Sequence, residues 1–473
     1  MKKLKKLAKN YTPNDFEKER TRRSMFSYLK LDEKPPVRKL ADQLLIIGNN
    51  ATNPNETSPQ ILYQYPKEEI SDFTYDIFVD YCFPKGVKRT KRTAKTVEAI
   101  ELEIKKSNQS HKHVSHFFVF HFCSSIPGLL RYAICLSKTR IVRDTVNPLM
   151  YYEDDVIYIL LTMTKQFYHH ISFLETLLDM NEVDQLALGE KLSNSLIQVH
   201  IDEYMQNTSE DVIEDIKSSI IKNPIDTADI NLCRCLMFRV IPVEHLLTLV
   251  SAIMLEKKIF IVSQYKCLVS NVILFLTEVI HPFHYDFSII DVLTDQLIDL
   301  LDSPTPLVVG CYEKPKYLPD EYYYYDIDNK KMEVKGPKTI PFPNAENIQE
   351  EMKLLLHPLM GCPAHSTLKC IKDHSSIIDK LLNCIKEEID KIIKPFDFYC
   401  LSSQNAPIIS LFMKTEFVMN SNENYQPFLK EFVETQMFEN FKTLSLVRYD
   451  KRMNDNYENQ KKKEKVDNGK EEE

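Results

Sequence analysis

Glycine is scarce in this chain, with 8 residues in 473 against an average share of about 7%. Neither G-x-G-x-x-G nor G-x-x-x-x-G-K-S/T occurs. The backbone cradles that hold phosphates are therefore missing, and the chain is not expected to bind a nucleotide of its own. No stretch approaches the roughly 18 uninterrupted apolar residues of a membrane span, because Glu256, Lys257, Lys258 and Glu278 break the two most apolar regions. A soluble or peripheral protein is expected. The 11 cysteines include no C-x-x-C, which reads as reduced thiols in a cytoplasmic protein. Cys233 and Cys235 straddle Arg234, but no second pair at zinc spacing completes a tetrahedral site. G-x-S-x-G, H-E-x-x-H and the kinase catalytic loop are also missing. No catalytic residue, no cofactor and no metal is expected.

What is present is an ordinary globular composition, 43% hydrophobic and 27% charged, in a chain long enough for two or three domains. The net charge of −8 argues against nucleic-acid binding. Residues 1 to 40 run against that balance, with 13 Lys+Arg to 5 Asp+Glu. They read as a solvated basic arm; contact with anionic lipid is the sharper alternative, since cytoplasmic leaflets attract basic segments. The arm has no apolar core of signal-peptide length.

Residues 38 to about 180 read as a small α/β unit. Its strand candidates are Phe117 to Phe122, Tyr132 to Leu136 and Val156 to Thr162, the first two joined by a link from Ser124 to Gly128. The polar, Lys-rich stretch from Lys85 to His113 reads as an exposed, partly disordered insert. Val183 to Tyr204 carries a helical apolar stripe. Leu246, Leu249, Val250, Ile253 and Met254 recur at the three-and-four spacing that predicts a helix, followed by Lys257 and Lys258 where cations favour a helix end. Ile259 to Val262 predicts a strand buried on both faces, and Leu268 to Ile280 a second helix stopped by Pro282. From Gln349 to Phe441 the spacing is helical, and the charged tail after Tyr449 reads as disordered.

Several site-like features read better as structure. His169 and His170 are adjacent on a helix and point about 100° apart. Asp326, Asp328 and Lys330 mimic the start of a calcium loop, but Lys331 and Pro337 stand where an EF-hand needs Gly and Glu. A turn between two strands fits them better. The tyrosine run 322 to 325 is expected to alternate between strand faces rather than stack bases.

The order of certain motifs is more specific. Val243 to Ser263, with its Leu255-Glu256 helix end and its strand closing on Ser263, resembles the centre of a DENN domain. Pro282-Phe283, Pro304-x-Pro306 with the apolar run to Gly310, and Asp326-x-Asp328 resemble later parts of the same family pattern. Phe428 to Phe438, containing Phe432, Thr435, Gln436, Met437 and Phe438, is similar to its downstream signature. Upstream, Leu40 to Gly48, Ile61 to Pro66 and Tyr81-Cys82-Phe83-Pro84 resemble its opening segments. The chain departs from the pattern at His284-Tyr285, Asp291 and Thr294, where the family tends to show Trp and prolines.

The resemblance implies an α/β fold made of a longin-like N-terminal lobe and a second α/β lobe with a helical C-terminal cap. Its implied boundaries are a basic arm at 1–37, the upstream segment at 38–180, the central segment at 181–340, the helical downstream segment at 341–448 and a charged tail at 449–473. It implies a guanine-nucleotide exchange factor for a Rab-family small GTPase in vesicle trafficking, cytoplasmic or peripheral on membranes. The alternatives are an adaptor that binds a GTPase without exchange and a GTPase-activating component with an arginine finger from Arg89, Arg92 or Arg131. The motif residues are expected to be structural, and no partner-binding residue is assigned by motif.

Overall fold

The computed structural model describes residues 16, 18–20, 41–49, 58–70, 75–110, 117–123, 130–144, 146–163, 167–179, 237–336, 340–361, 374–403 and 408–468. The rest of the basic arm, the Ser124-to-Gly128 link, the stripe from Val183 to Tyr204 and Cys233 with Cys235 lie outside the described residues.

The first lobe comprises β1 (Gln43–Gly48), β2 (Gln60–Tyr65), α1 (Tyr75–Cys82), β3 (Thr90–Thr93), α2 (Val97–Ser110), β4 (Phe117–Cys123), β5 (Leu130–Arg143), β6 (Met150–Thr162) and α3 (Phe167–Asp179). Its sheet runs β2-β1-β6-β5-β4, with β3 beside the start of β6, and every pairing is antiparallel. Strand geometry sends successive side chains to opposite faces, and both faces here are apolar. Leu45, Ile47, Phe118, Phe120, Cys135, Ile157 and Ile159 share a core with Phe78 and Cys82 of α1. Leu44, Phe117, Val119, Ile134, Leu136, Tyr158 and Leu160 share another with Phe167, Ile171 and Leu174 of α3. Covering both faces explains why these strands read as continuous apolar runs.

The expected insert from Lys85 to His113 is corrected: β3 and α2 lie within it. Thr96 caps α2 by accepting a hydrogen bond from the Ala99 N–H at 3.2 Å, and Ile100 is fully buried. The abundance of Lys and Glu on the solvent face hid a helix that buries one narrow stripe.

The second lobe begins with α4 (Val243–Met254), β7 (Ile259–Val262), α5 (Lys266–Val279), β8 (Ser288–Ile290), a 3-10 turn (Asp295–Asp302), β9 (Leu307–Cys311), β10 (Tyr322–Asp326) and β11 (Lys331–Lys335). Its sheet runs β11-β10-β7-β9-β8, parallel except for the β10–β11 hairpin. The tyrosine run alternates as expected. Tyr323 and Tyr325 join the core of α4 and α5, while Tyr322 and Tyr324 join Phe260, Val309 and Leu301 on the other face.

The helical cap consists of α6 (Ala345–Leu356), α7 (Ser375–Ile393), a 3-10 turn (Phe396–Tyr399), the hairpin β12 (Cys400–Ser402) and β13 (Ser410–Phe412), then α8 (Lys414–Met419), α9 (Gln426–Phe432) and α10 (Gln436–Asn468). The expected disordered tail from 449 is corrected as far as Asn468, because α10 continues through it. Residues 449 to 468 contain neither Pro nor Gly, and Lys, Glu, Gln and Arg are good helix formers; Gly469 follows.

Candidate functional site at the lobe junction

The first sheet ends at β4, whose outer edge would present unpaired backbone groups. Side chains of the second lobe occupy it. The Ser270 hydroxyl receives the Val119 N–H at 2.7 Å and lies 2.5 Å from the Val119 carbonyl. Asp291 accepts the His121 N–H at 2.6 Å, and its other oxygen lies 3.0 Å from the His121 Nδ1. Both Ser270 and Asp291 are about 1% exposed. The two lobes are thus joined by fully buried polar pairing as well as by apolar packing.

Lys266, at the start of α5, extends the joint. Its ammonium donates to the Cys82 carbonyl and sits 4.6 Å from the centre of the Phe83 ring. Burial pushes its pKa below the usual lysine range. Beside it, Tyr312 packs against the first-lobe core, and its hydroxyl is buried with no hydrogen-bond partner among the described residues; burial pushes that phenol well up. At the rim, Lys85 pairs with Glu313 at 2.8 Å, and Gln296 of the first 3-10 turn reaches Asp80 of α1 at 3.4 Å. Tyr265 and Ile298, neighbours of these contacts in sequence, are 54% and 42% exposed. The seam therefore has a sealed interior and an accessible rim bearing apolar side chains.

The motif residues fall into clusters. Pro66, after a cis peptide, offers its carbonyl to Gln43 at 2.8 Å; Phe83 is buried and Pro84 half-buried where α1 meets Lys266. Ser263 donates to Asp328 at 2.6 Å, and the second Asp328 oxygen accepts the Gln264 N–H at 2.9 Å. Asp326 closes the hairpin turn by accepting from the Asn329 backbone and side chain at 2.9 and 2.8 Å. Gly310 passes so close to its neighbours that a Cβ there would lie 2.1 Å from the Asp291 carbonyl oxygen, so no larger residue fits.

Glu256 ties the central motif to the downstream one. α4 ends in a left-handed turn: the Glu256 N–H bonds the Ile253 carbonyl and the Lys257 N–H the Ala252 carbonyl at 3.1 and 3.0 Å. Glycine usually holds that position, yet Glu256 occupies it at φ 53°. The conformation aims its carboxylate at the start of α10, where it accepts the Gln436 and Met437 N–H groups at 3.0 and 2.6 Å. Thr435 completes the cap by accepting the Phe438 N–H at 3.1 Å. Beneath lie Phe283, Phe432 and Phe438, all buried. Phe283 meets Phe432 edge-on at 4.9 Å. Pro282 precedes this cluster after a second cis peptide. Leu255, Glu256, Pro304 and Pro306 line a cavity of about 390 Å³ with Lys257, Lys258 and Tyr323.

Sequence reasoning missed Ser270, His121 and Lys266 and met Asp291 only as a departure from the family pattern, since single polar residues leave no periodic signal. The three candidate finger arginines are engaged. Arg89 pairs with Asp154 at 2.6 Å and Arg92 with Glu153 at 3.2 Å, and Arg131 pairs with Asp42. Arg89 and Arg131 side chains are 4% and 7% exposed. His170 is buried in α3. Among the described residues no group of His, Cys, Asp and Glu is arranged to hold a metal, and no helix is long and apolar enough to cross a membrane.

Residues 156–330 match the family model of the DENN (AEX-3) domain. The chain is 21% identical over 401 residues to the MAP kinase-activating death domain protein of Caenorhabditis elegans, a match that covers 68% of this chain and 27% of that protein. It is 24% identical over 253 residues to DENN domain-containing protein 2A of Mus musculus, covering 48% of this chain and 24% of the relative. The chain thus spans about a quarter of the length of either relative. The matched segment starts within β6 of the first lobe and ends at the turn after β10, so it contains Ser270 and Asp291 on the second-lobe side of the seam and the Ser263–Asp328 and Gly310 contacts; over residues 156–330 the chain is similar to the DENN domain.

Proposed function

We propose that this protein is a nucleotide-exchange factor for a Rab-family GTPase, gripping it across the rim of the lobe junction. The observation that carries the reading is the DENN match over the end of the first lobe and the sheet of the second, together with the polar pairing of β4 to Ser270 and Asp291 that fixes one lobe against the other. Exchange of this kind needs no covalent chemistry. The factor binds the nucleotide-free GTPase more tightly than the GDP-bound one, and that differential affinity lowers the barrier to release. A rigid seam serves this purpose, because a grip that yields does not transmit the difference. Tyr265, next in sequence to Lys266, and Ile298, two positions from Gln296, have exposed apolar surface to offer. A basic N-terminal sequence, with 13 Lys+Arg to 5 Asp+Glu in residues 1 to 40, and a cytoplasmic, peripheral location suit a protein acting on membrane-tethered GTPases.

The test is release of a fluorescent GDP analogue from a panel of Rab proteins, with GTP hydrolysis followed in parallel. Accelerated release from at least one Rab is expected. Tyr265→Arg should reduce that acceleration without lowering the melting temperature. Binding without faster release would make the protein an adaptor. Faster hydrolysis would make it an activator, although Arg89 or Arg131 could then act only after leaving its carboxylate partner.

A further inference from the structure

The helical cap contains a groove of about 720 Å³ between the end of α7 and the middle of α10, within the size range of small-ligand sites. Phe441, Ser445, Arg448, Arg452 and Asp455 line it from α10, a spacing of four, three, four and three that sets them on one helix face. Ile393 and Lys394 from the end of α7 and Phe396 with Asp397 from the following turn form the other wall. Phe396 meets Phe441 edge-on at 5.6 Å, which makes an apolar floor.

Its charge is opposite to that of the chain. Lys394, Arg448, Lys451 and Arg452 face two acids, Asp397 and Asp455, in a protein of net charge −8. Asp397 is already paired with Arg452 at 2.9 Å. Arg448 and Lys394, both exposed, make no ion pair among the described residues. Guanidinium forks match the oxygens of phosphate esters, and several cations above a ring-lined floor suit a polyanion with a carbon skeleton. The turn beside Asp397 also carries Phe398, 60% exposed. An outward aromatic next to cations is the pairing found at bilayer interfaces, where the ring enters the headgroup region and the cations meet anionic lipid.

We propose that this groove binds the multiply phosphorylated headgroup of a membrane lipid, with Arg448 and Lys451 on the phosphates and Phe398 in the interface. The site is separate from the lobe junction, and its occupancy is read without any GTPase. The experiment is co-sedimentation of the full chain with vesicles containing phosphatidylinositol 4,5-bisphosphate and with phosphatidylserine vesicles of equal surface charge. Titration with soluble inositol 1,4,5-trisphosphate runs alongside. The phosphatidylserine arm reads the non-specific contribution, including that of the N-terminal basic segment. Wild type is expected to prefer the bisphosphate vesicles. The double variant Arg448→Ala/Lys451→Ala should lose that preference by about tenfold or more in affinity at low salt, with an unchanged melting temperature because both residues are exposed. Lys394→Ala on the opposite wall should weaken binding in the same direction, and the soluble trisphosphate should compete. Equal binding to both vesicle types, or an undiminished preference in these variants, overturns the proposal. Binding of the soluble trisphosphate with no vesicle preference also overturns it, since the ligand is then a free phosphate ester and not a lipid.

Discussion

The two sheets of this protein solve the same problem in different ways. The parallel strands β7, β9 and β10 are buried within their own lobe, between α4 and α5 on one face and the 295–302 turn on the other. The antiparallel sheet of the first lobe closes both faces with its own helices but leaves β4 as an edge that Ser270 and Asp291 must complete from outside. One lobe therefore finishes the other, and integrity of the first lobe is conditional on the second. On the proposed reading such dependence is useful, because the angle between the two bodies is set by buried hydrogen bonds that water does not reach.

Cutting the chain is expected to have the largest effect on this comparison. Residues 1–180 alone expose the β4 edge and the apolar surface around it, so aggregation is expected. Neither that piece nor 181–473 should accelerate GDP release, whereas 30–450 should suffice. Solubility by size-exclusion chromatography and the release assay read this out. Full activity from either half would sink the two-body grip.

Gly310→Ala comes next. Its Cβ would lie 2.1 Å from the Asp291 carbonyl oxygen and 2.6 Å from the Val269 Cγ1, and the clash with backbone cannot be relieved by a rotamer change. Loss of several kcal/mol is expected, a large part of a typical stability of about 5–15 kcal/mol. The melting temperature checks it, and a variant as stable as wild type would mean that β8 and β9 separate easily.

Smaller losses follow at the seam itself. Asp291→Ala leaves the buried His121 N–H without an acceptor and should cost about 2–3 kcal/mol, and Ser270→Ala about 1 kcal/mol. Denaturant unfolding measures both. If the seam transmits the grip, exchange should fall more steeply than stability in Asp291→Ala. A parallel fall would assign these contacts to folding alone.

Much of the second lobe was legible because its signals are local. The α4 stripe, the apolar run of β7 and the Pro282 stop each follow from spacing over a dozen residues. The family motifs were visible as well, and their reason is now physical: Ser263 and Asp328 hydrogen-bond across 65 positions, and Glu256 meets Gln436 and Met437 across 180 and 181. The helix α2 was hidden because its buried stripe is narrow and its solvent face is rich in Lys and Glu. The far end of α10 was hidden because a charged, low-hydropathy sequence reads as disorder even when it propagates a helix already nucleated by a cap. The seam was illegible for a different reason. His121, Ser270 and Asp291 are ordinary polar residues until the topology brings together positions 151 and 170 apart.

The smallest and most discriminating effects concern Glu256, which holds a strained turn in the second lobe for the sake of a helix in the cap. Glu256→Ala keeps the left-handed strain and loses the cap of α10, so about 1–2 kcal/mol of destabilisation is expected. Glu256→Gly loses the same cap but relieves the strain, and should recover about 1 kcal/mol of it. If Ala and Gly prove equal, the turn is not strained. The charge adds a pH signature. Burial raises the Glu256 pKa above the usual carboxylate range, outweighing the two amide N–H groups, which lower it. A carboxyl raised in this way supports the fold while protonated, below its unfolded pKa, and that contribution is lost as pH climbs through the folded value. Glu256→Gln imitates the protonated acid. It should match wild type near pH 4 and gain on it toward pH 7, as read by paired melting curves. A wild type that gains on the variant instead would show that the two amides at the start of α10 outweigh desolvation, and that the charge itself fastens the cap to the second lobe.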